Sequence, residues 1–409
     1  MIIVVLAFAL TSIYGFINMK DAYYSVIKTA LQITDAELGR MWSVYGIVAT
    51  LSYPIGGYLA DRFPPQKLLM TALIGSAILH VMLSFVRIYA ILLVISGLLG
   101  VMAILIYFPA SSKIITYLGN AETAGGIVGN YYATGAVLGV ILSVVVGTFY
   151  AHHPDERTLF VLMMRYFAVL SIIGAVGVRN LFKNQVISGD SAGRIELGQV
   201  RSALRMKEVW LLAGTMVCSY ALFCFTAYMT PYLTNKFEIT GQVTLYIGLI
   251  RGTASYITAP ALFGRFADMA KSSMTVVKRA LFAAGILLIL LGITSVHAKS
   301  IAAAIGLTAV FAFFVIGAKT IGLAMVPEIG FPYQIVGTVI GIITFIGYSP
   351  DAYVYQITGS VIQAQGERAF TILFAAGAVI AFAGAACCRQ LIIENRNRKL
   401  REQESQELL

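Results

Sequence analysis

Long apolar runs follow one another along almost the whole chain, and only short polar segments separate them. Runs of about 20 residues match the length that a helix needs to cross the hydrocarbon core of a bilayer. A spanning segment has to satisfy its own backbone hydrogen bonds, so it is either a helix or a strand of a closed barrel. The strict alternation of polar and apolar residues in barrel strands is absent, which predicts helices. The twelve predicted spans cover residues 2–31, 38–60, 67–86, 89–117, 124–151, 159–182, 209–235, 243–266, 278–297, 300–326, 335–362 and 369–393.

The longest polar stretch divides these spans into two groups of six. It contains glycine, serine and charged residues, as expected of a linker. We therefore predict an all-α membrane protein with an N-terminal six-helix bundle over 1–182, a cytoplasmic linker over 183–208, a C-terminal six-helix bundle over 209–393 and a cytoplasmic tail over 394–409.

The two predicted bundles share short sequence strings at a nearly constant offset. Asp61 and Asp268 both follow an alanine and lie 207 residues apart, and Gly57 and Gly264 have the same offset. Six spans separate the copies, and an even number keeps the direction of crossing unchanged. The pattern predicts a parallel repeat about an axis along the membrane normal.

Composition excludes several classes of protein. Of the 409 residues, 59% are hydrophobic and 12% are charged, against roughly 25% charged residues in soluble domains. That is too little charge for a soluble enzyme, a nucleic-acid-binding protein or a disordered chain. More than half of the 29 lysines and arginines lie in the linker, the tail and the loops on the same side. The positive-inside rule places this side and both termini in the cytoplasm.

Residues that would indicate other chemistry are few. The four cysteines and four histidines lack the spacing of a disulfide framework or a metal site. No Gly-rich phosphate loop or catalytic constellation is present, so we expect neither an enzyme nor a bound cofactor or metal. The first five residues carry no basic group, which argues against a cleaved signal peptide. Trp42 and Trp210 fall at the starts of predicted spans, where interfacial tryptophan is common.

The loop after the second span carries the most specific motif. Gly57 is followed by Asp61, Arg62 and Lys67, and a weaker copy in the second half includes Asp268. This motif, the twelve spans, the linker and the repeat together resemble the major facilitator superfamily over nearly the whole chain. The resemblance implies two bundles that expose a central site alternately to each side of the membrane. It also implies that these five residues form the inner gate.

Two residues of this gate have specific expected roles. Gly57 is expected to let two helices approach closely. Asp61 is expected near the N-terminal end of the eleventh span, where a helix dipole favours an anion. The alternative for the whole motif is an ordinary turn with a positive-inside charge pattern.

Ionisable residues inside predicted spans are costly and are therefore functional candidates. Arg251 and Asp351 both fall near the midplane. They are expected either to form a structural ion pair or to act on a substrate, with Arg251 as a carboxylate or phosphate clamp and Asp351 as a counter-ion or proton carrier. Lys319 and Lys20 lie in spans that line the cavity in the family. Their alternative is to snorkel towards an interface, and Lys20 has a second alternative, which is to pair with Asp21.

Tyrosines near these charges are the remaining candidates. Tyr24, Tyr131 and Tyr228 are predicted to supply hydroxyl groups to a substrate, and packing is the alternative for each. Three basic groups and one acidic group inside the spans give a positive interior, which attracts an anion. Short strings around Pro109 and Pro350 also resemble bacterial organic-anion and sugar-phosphate permeases.

The predicted function is secondary transport of a small organic anion, namely a carboxylate, a sugar acid or a sugar phosphate. Proton symport and anion exchange are both open as the coupling mode. The expected partners are the lipid bilayer, the anionic solute and, for symport, protons. We expect a monomer in the inner membrane of a bacterium and no nucleic acid. Two alternatives are an efflux antiporter for drugs or metabolites and a membrane sensor that binds an anionic metabolite without transporting it.

Overall fold

The computed structural model describes residues 2–118, 124–152, 155–183, 197–239, 241–296, 300–332, 335–366 and 368–407. These residues form α-helices joined by short turns and contain no β-strand. The helices are α1 (Ile2–Asn18), α2 (Tyr24–Leu31), α3 (Asp35–Arg62), α4 (Pro65–Phe85), α5 (Tyr89–Gly100), α6 (Phe108–Tyr117), α7 (Ala124–His152), α8 (Glu156–Leu181), α9 (Leu197–Arg205), α10 (Lys207–Phe225), α11 (Met229–Phe237), α12 (Gly241–Ala270), α13 (Ser273–Val296), α14 (Ile301–Thr320), α15 (Met325–Ile329), α16 (Val336–Gly347), α17 (Val354–Gln365) and α18 (Arg368–Glu407).

Contacts between residues divide the chain into two compact units. The first unit consists of Met1–Ala192, Ala227–Thr253 and Asp351–Gly366, and the second of Gly193–Thr226, Ala254–Pro350 and Glu367–Leu409. Two segments from the C-terminal half of the sequence therefore belong to the first unit. Half of the predicted linker, residues 184–196, lies outside the described residues, and the predicted bundle boundaries stay a prediction.

Helices occur at all twelve predicted spans. Eight helical segments of the described chain are long and apolar enough to cross a membrane, and α1 is a shorter apolar helix. The helices α3 and α12 are long but contain more polar residues, and the eleventh span is divided into α16 and α17. The all-helical membrane fold predicted from the apolar runs is confirmed.

Five of the predicted spans are interrupted. The first turns at residues 19–23, and the fourth contains the π-helix Val101–Tyr107. The seventh, tenth and eleventh contain the 3-10 turns Thr226–Tyr228, Gly322–Ala324 and Ser349–Ala352. The expectation that the first helix continues unbroken to residue 31 is wrong. Non-helical backbone inside a membrane protein is tolerated where other groups of the protein satisfy it.

The interruptions in the first and seventh spans occur at equivalent places. They begin at Met19 and Thr226, 207 residues apart. This is the same offset that relates Asp61 to Asp268 in the sequence. The helical irregularity therefore follows the predicted internal repeat, although no shared sequence string marks it.

Side chains satisfy backbone groups at two of the interruptions. The Tyr14 hydroxyl donates to the Ala103 carbonyl of the π-helix at 3.2 Å. The Ser43 hydroxyl accepts from the Gln356 amide in the first turn of α17 at 3.0 Å. A first-turn amide has no partner inside its own helix, so Ser43 connects α17 to α3 at this point.

Glycines allow α17 to lie directly against α3 in the first unit. A Cβ on Gly46 would lie 2.0 Å from the Asp351 carbonyl oxygen, and one on Gly39 would lie 2.2 Å from that of Tyr355. From the other side, a Cβ on Gly359 would approach a backbone oxygen of α3 within 2.3 Å. The two backbones are in contact, which small residues permit between membrane helices. We call this contact the glycine seam.

The second unit is held together by α18. This helix packs along α13 and α10, and α10 also packs on α16. Past its apolar part, α18 reaches the end of α15, where Asn395 donates to the Glu328 carbonyl at 3.4 Å and the Arg398 guanidinium donates to the Ile329 carbonyl. Carbonyls at a helix C-terminus lack partners inside the helix. The start of the predicted tail is thus a helix that caps α15.

We predict that Gly46→Ala lowers the melting temperature of the purified protein. The added methyl group would overlap the Asp351 carbonyl, and overpacking of this kind costs about 1–3 kcal/mol. Gly252→Ala is the matched control in the same unit, because a Cβ there meets no described atom within 4 Å. Equal melting temperatures for the two variants would contradict the seam.

Candidate functional site

Lys20 lies in the turn between α1 and α2 and is only 7% exposed. Its Nζ is 3.9 Å from the centroid of the Tyr355 ring, 5.7 Å from that of Tyr45 and 5.9 Å from that of Trp42. The faces of aromatic rings attract a cation without carrying a formal negative charge. In the structure Lys20 is thus surrounded by rings inside the first unit.

Two unpartnered hydrogen-bond donors lie in the same cluster. The indole nitrogen of Trp42 and the hydroxyl of Tyr45 are buried and have no hydrogen-bond partner in the structure. Buried polar groups are normally satisfied, so these donors suit an acceptor group on a ligand. Trp42 lies near the start of a predicted span, and its side chain is fully buried within the first unit.

Arg251 is buried at 3% exposure and forms a closed hydrogen-bonded set with Asp21 and Thr230. Its Nε donates to Asp21 Oδ2 at 3.2 Å, and its Nη2 donates to Asp21 Oδ1. The Nη2 also donates to Thr230 Oγ1 at 2.8 Å, and Thr230 donates to Asp21 Oδ1 at 2.8 Å. The expected partner of Arg251 was Asp351. The carboxylate that the structure provides is that of Asp21.

The interruption of the first span explains why the sequence did not indicate Asp21. Lys20 and Asp21 are adjacent, so on a continuous helix they read as a local charge pair. In the turn at 19–23 the Lys20 ammonium lies among the rings, whereas the Asp21 carboxylate meets Arg251 of α12. Asp21 lies inside the first predicted span. That position was the feature of the sequence that could have marked it as a buried partner for a basic residue.

The other predicted residues of the first unit have varied surroundings. Asp351 lies in a 3-10 turn, close enough to Tyr45 to interact with it electrostatically. Tyr24 is buried and donates to Asp35 Oδ1 at 2.8 Å. Tyr228 is also buried and donates at 2.7 Å to the carbonyl of the Tyr355 whose ring lies against Lys20.

The hydroxyl hydrogens of Tyr24 and Tyr228 are therefore used within the protein. Their rings are 5.6 Å apart, so packing, the alternative considered for both, is what the structure shows. Tyr131 is 1% exposed, and its hydroxyl lies 3.4 Å from that of Tyr107. It belongs to a separate group of tyrosines in the first unit.

Lys319 lies in the last turn of α14, in the second unit, and is half-buried. Its Nζ is 3.5 Å from the centroid of the Phe223 ring and 5.2 Å from that of Tyr220. Both rings are on α10. Lys319 therefore has the same kind of aromatic surroundings as Lys20, although the two lysines belong to different units.

A small cavity lies beside Lys319. Its lining consists of Thr215, Met216, Ser219, Tyr220, Val277, Ala318, Lys319, Gly322, Met325 and Tyr348. The Ser219 hydroxyl is buried without a hydrogen-bond partner, and the Tyr220 and Tyr348 rings lie 4.7 Å apart at an angle of 37°. An ammonium group, a hydroxyl group and aromatic faces thus border one small space.

The predicted gate loop is largely exposed. Arg62 donates to the Tyr58 hydroxyl at 2.7 Å, and Lys67 is exposed. A Cβ on Gly57 would meet no described atom within 4 Å, so the described residues show no close helix approach there, and the gating role of Gly57 stays a prediction. The packed glycine is its neighbour Gly56, where a Cβ would lie 3.0 Å from Pro109 Cγ.

The structure gives little information on the two acidic residues of the predicted gate. The side chain of Asp61 lies outside the described part of the structure, and Asp268 is exposed near the end of α12. Lys113 donates to the Ala60 carbonyl at 2.9 Å and so holds the end of α3 beside the loop.

Comparison with known proteins gives one family and several relatives. The profile of the Major Facilitator Superfamily matches residues 1–353. The inner membrane protein YqcE of Escherichia coli K12 is 25% identical over 86% of this chain and 85% of its own length. The inner membrane protein YihN of the same strain is 22% identical over 95% and 94%. The multidrug resistance protein MdtG of Proteus mirabilis is 25% identical over 58% and 60%.

Solved structures with the same fold include two transporters. A nucleoside transporter, NupG, superposes with a TM-score of 0.75 at 14% identity, over 94% of this chain and 98% of that one. A POT family transporter superposes with a TM-score of 0.74 at 14% identity, over 96% of each chain. At this level of identity the similarity concerns the fold.

We predict that Arg251→Gln and Asp21→Asn each destabilise the protein by on the order of 3 kcal/mol, because each leaves a largely buried charge without its partner. The double variant should lose less than the sum of the two. Thermal unfolding of the purified protein measures this. Lys207→Gln is the control, since Lys207 pairs with Glu394 at the surface and such pairs contribute at most about 1 kcal/mol. Single variants no worse than this control would contradict a structural role.

Proposed function

Because the chain belongs to the Major Facilitator Superfamily and is a membrane transporter, we propose that it carries a small organic anion across the bacterial inner membrane by alternating access. Candidate substrates are carboxylates, sugar acids and sugar phosphates, moved by proton symport or by anion exchange. The distribution of basic residues supports an orientation with both termini in the cytoplasm.

One observation carries this proposal. Each unit holds a lysine whose ammonium lies against aromatic rings and close to a buried, unpartnered donor: Trp42 and Tyr45 beside Lys20, and Ser219 in the cavity of Lys319. Ammonium, indole N–H and hydroxyl groups all donate hydrogen bonds. Carboxylates and phosphates accept them, and hydrogen bonds between charged groups are the stronger kind.

The candidate residues would have different roles in binding and coupling. Lys319 and Ser219 would bind and orient the anion, while the aromatic faces would hold the ammonium in place and exclude water. The Arg251 guanidinium is engaged by Asp21 in this structure, so a role as substrate clamp requires that this pair opens. Asp351 and Asp21 are the acidic candidates for carrying a coupled proton.

The similarity to MdtG favours a second candidate, efflux of drugs. The relative matches 58% of the chain, and aromatic surfaces suit flat apolar compounds. Cationic drugs would, however, meet the Lys319 ammonium. If that candidate is correct, cells that produce the protein survive higher drug concentrations and take up no labelled anion.

We predict that Lys319→Gln lowers counterflow of labelled gluconate, glucuronate or glucose 6-phosphate at least ten-fold in proteoliposomes. The reason is that the anion loses a charged hydrogen bond, worth about 1.5–3 kcal/mol. Arg279→Gln removes the same charge from an exposed position of α13 in the same unit and should leave counterflow unchanged.

Melting temperatures separate loss of binding from loss of folding. Lys319→Gln should unfold at nearly the temperature of the unmodified protein. Binding of these anions without any counterflow would indicate the sensor alternative instead. If neither binding nor counterflow occurs with any of the three anions, the proposal is wrong.

A further inference from the structure

Four tyrosines of the first unit form one group, which we call the tyrosine wall: Tyr14, Tyr107, Tyr131 and Tyr132. The Tyr14 and Tyr107 rings are 6.4 Å apart, and the Tyr131 and Tyr132 rings are 5.0 Å apart. The hydroxyls of Tyr107 and Tyr131 are 3.4 Å apart and connect the two pairs. The residues come from α1, the π-helix of the fourth span and α7.

Two members of the wall reach the surface of the first unit. Tyr14 is half-buried and Tyr132 is 49% exposed. Tyr107 and Tyr131 are buried at 0% and 1% exposure. A ligand at this surface would therefore meet Tyr14 and Tyr132, with the two buried tyrosines behind them.

The hydroxyl hydrogens inside the wall can be assigned. A tyrosine hydroxyl has one hydrogen to donate and lone pairs that accept. Tyr107 donates its hydrogen to the Leu6 carbonyl at 2.8 Å. The longer contact between Tyr107 and Tyr131 then takes its hydrogen from Tyr131. Both buried hydroxyls have therefore used their hydrogens within the protein.

The hydroxyl hydrogen of Tyr14 is donated to the π-helix. A π-helical segment departs from the regular α-helical hydrogen bonds and is often found at functional sites. Tyr14 donates to the Ala103 carbonyl in this segment at 3.2 Å. The Tyr14 hydroxyl therefore has only lone pairs left, and it can accept a hydrogen bond from a ligand but not donate one.

The wall lies near the donor cluster around Lys20. A Cβ on Gly100, the residue before the π-helix, would lie 3.0 Å from the Tyr45 carbonyl oxygen, and Tyr45 is the unpartnered donor beside the Lys20 ammonium. The first unit thus places an acceptor surface next to a cationic, donor-rich cluster. Hydroxyl groups of a ligand can donate to the acceptor surface, and a carboxylate or phosphate can accept from the donor cluster.

We infer that the tyrosine wall recognises hydroxyl groups, and that the substrate is a polyhydroxylated anion of the sugar-acid or sugar-phosphate class rather than a plain carboxylate. Tyr14 and Tyr132 are the specificity-determining residues. This inference rests on the proposed transport of organic anions. It restricts the proposed organic anions to those that carry hydroxyl groups.

The test compares two anions of equal charge and similar ring size, glucuronate and cyclohexanecarboxylate, as competitors in a counterflow assay with the full chain in proteoliposomes. The unmodified protein should prefer glucuronate at least ten-fold. Tyr14→Phe and Tyr132→Phe keep the rings and remove the hydroxyls, and each should reduce this preference about five-fold, the effect of one hydrogen bond.

Tyr166→Phe is the matched control, because Tyr166 is half-buried in α8 and its ring contacts Phe149 and Phe167 rather than the wall. Its preference for glucuronate should equal that of the unmodified protein. Melting temperatures of all variants show whether a change in preference comes from misfolding. Rescue of the preference by Tyr14→His, which restores an acceptor, would support the assignment further.

The outcomes separate the two proposals. If both anions compete equally, or if the preference persists in Tyr14→Phe and Tyr132→Phe, the wall does not read hydroxyl groups and the inference is wrong, while anion transport stands. If none of glucuronate, gluconate and glucose 6-phosphate competes, or neutral glucose competes better than all three, transport of organic anions is itself wrong.

Discussion

The rest of this structure depends on one constraint, the need of a lipid-embedded chain to satisfy its own backbone hydrogen bonds. Regular helices meet it without help, and most of the described chain consists of them. The five interrupted spans lack some of these regular hydrogen bonds. At two of them a side chain bonds a backbone group: Tyr14 donates to a carbonyl of the π-helix, and Ser43 accepts from an amide of α17. Unmet backbone groups inside a bilayer cost several kcal/mol each. The polar residues at the interruptions therefore have a structural task before any functional one.

This constraint explains which parts of the fold the sequence predicts. Apolar runs of membrane length locate all twelve spans, because a helix is nearly the only structure that such a run can form in lipid. The interruptions are harder to predict. Residues 19–23 contain neither proline nor glycine, and the turn there depends on partners that are distant in the sequence, such as Arg251 and Thr230 for Asp21.

Some features of the candidate site can likewise be predicted from the sequence, and others cannot. Lys20 and Lys319 stand out in the sequence because ionisable residues are rare within apolar spans. Their aromatic surroundings do not stand out, since Tyr355 is more than 300 residues from Lys20 and becomes its neighbour only through the glycine seam. Gly57 stands out through the family motif, whereas the glycine that is packed in this structure is the adjacent Gly56, which the motif does not indicate.

The burial of Trp42 has a practical consequence. The chain contains two tryptophans: Trp42, fully buried within 6 Å of the Lys20 ammonium, and Trp210, which is 53% exposed. Indole emission responds to nearby charge and polarity, so Trp42 is an intrinsic optical reporter inside the donor cluster. Replacing Trp210 by phenylalanine would leave this single fluorophore. Ligand entry into this cluster could then be followed in real time without attaching a dye.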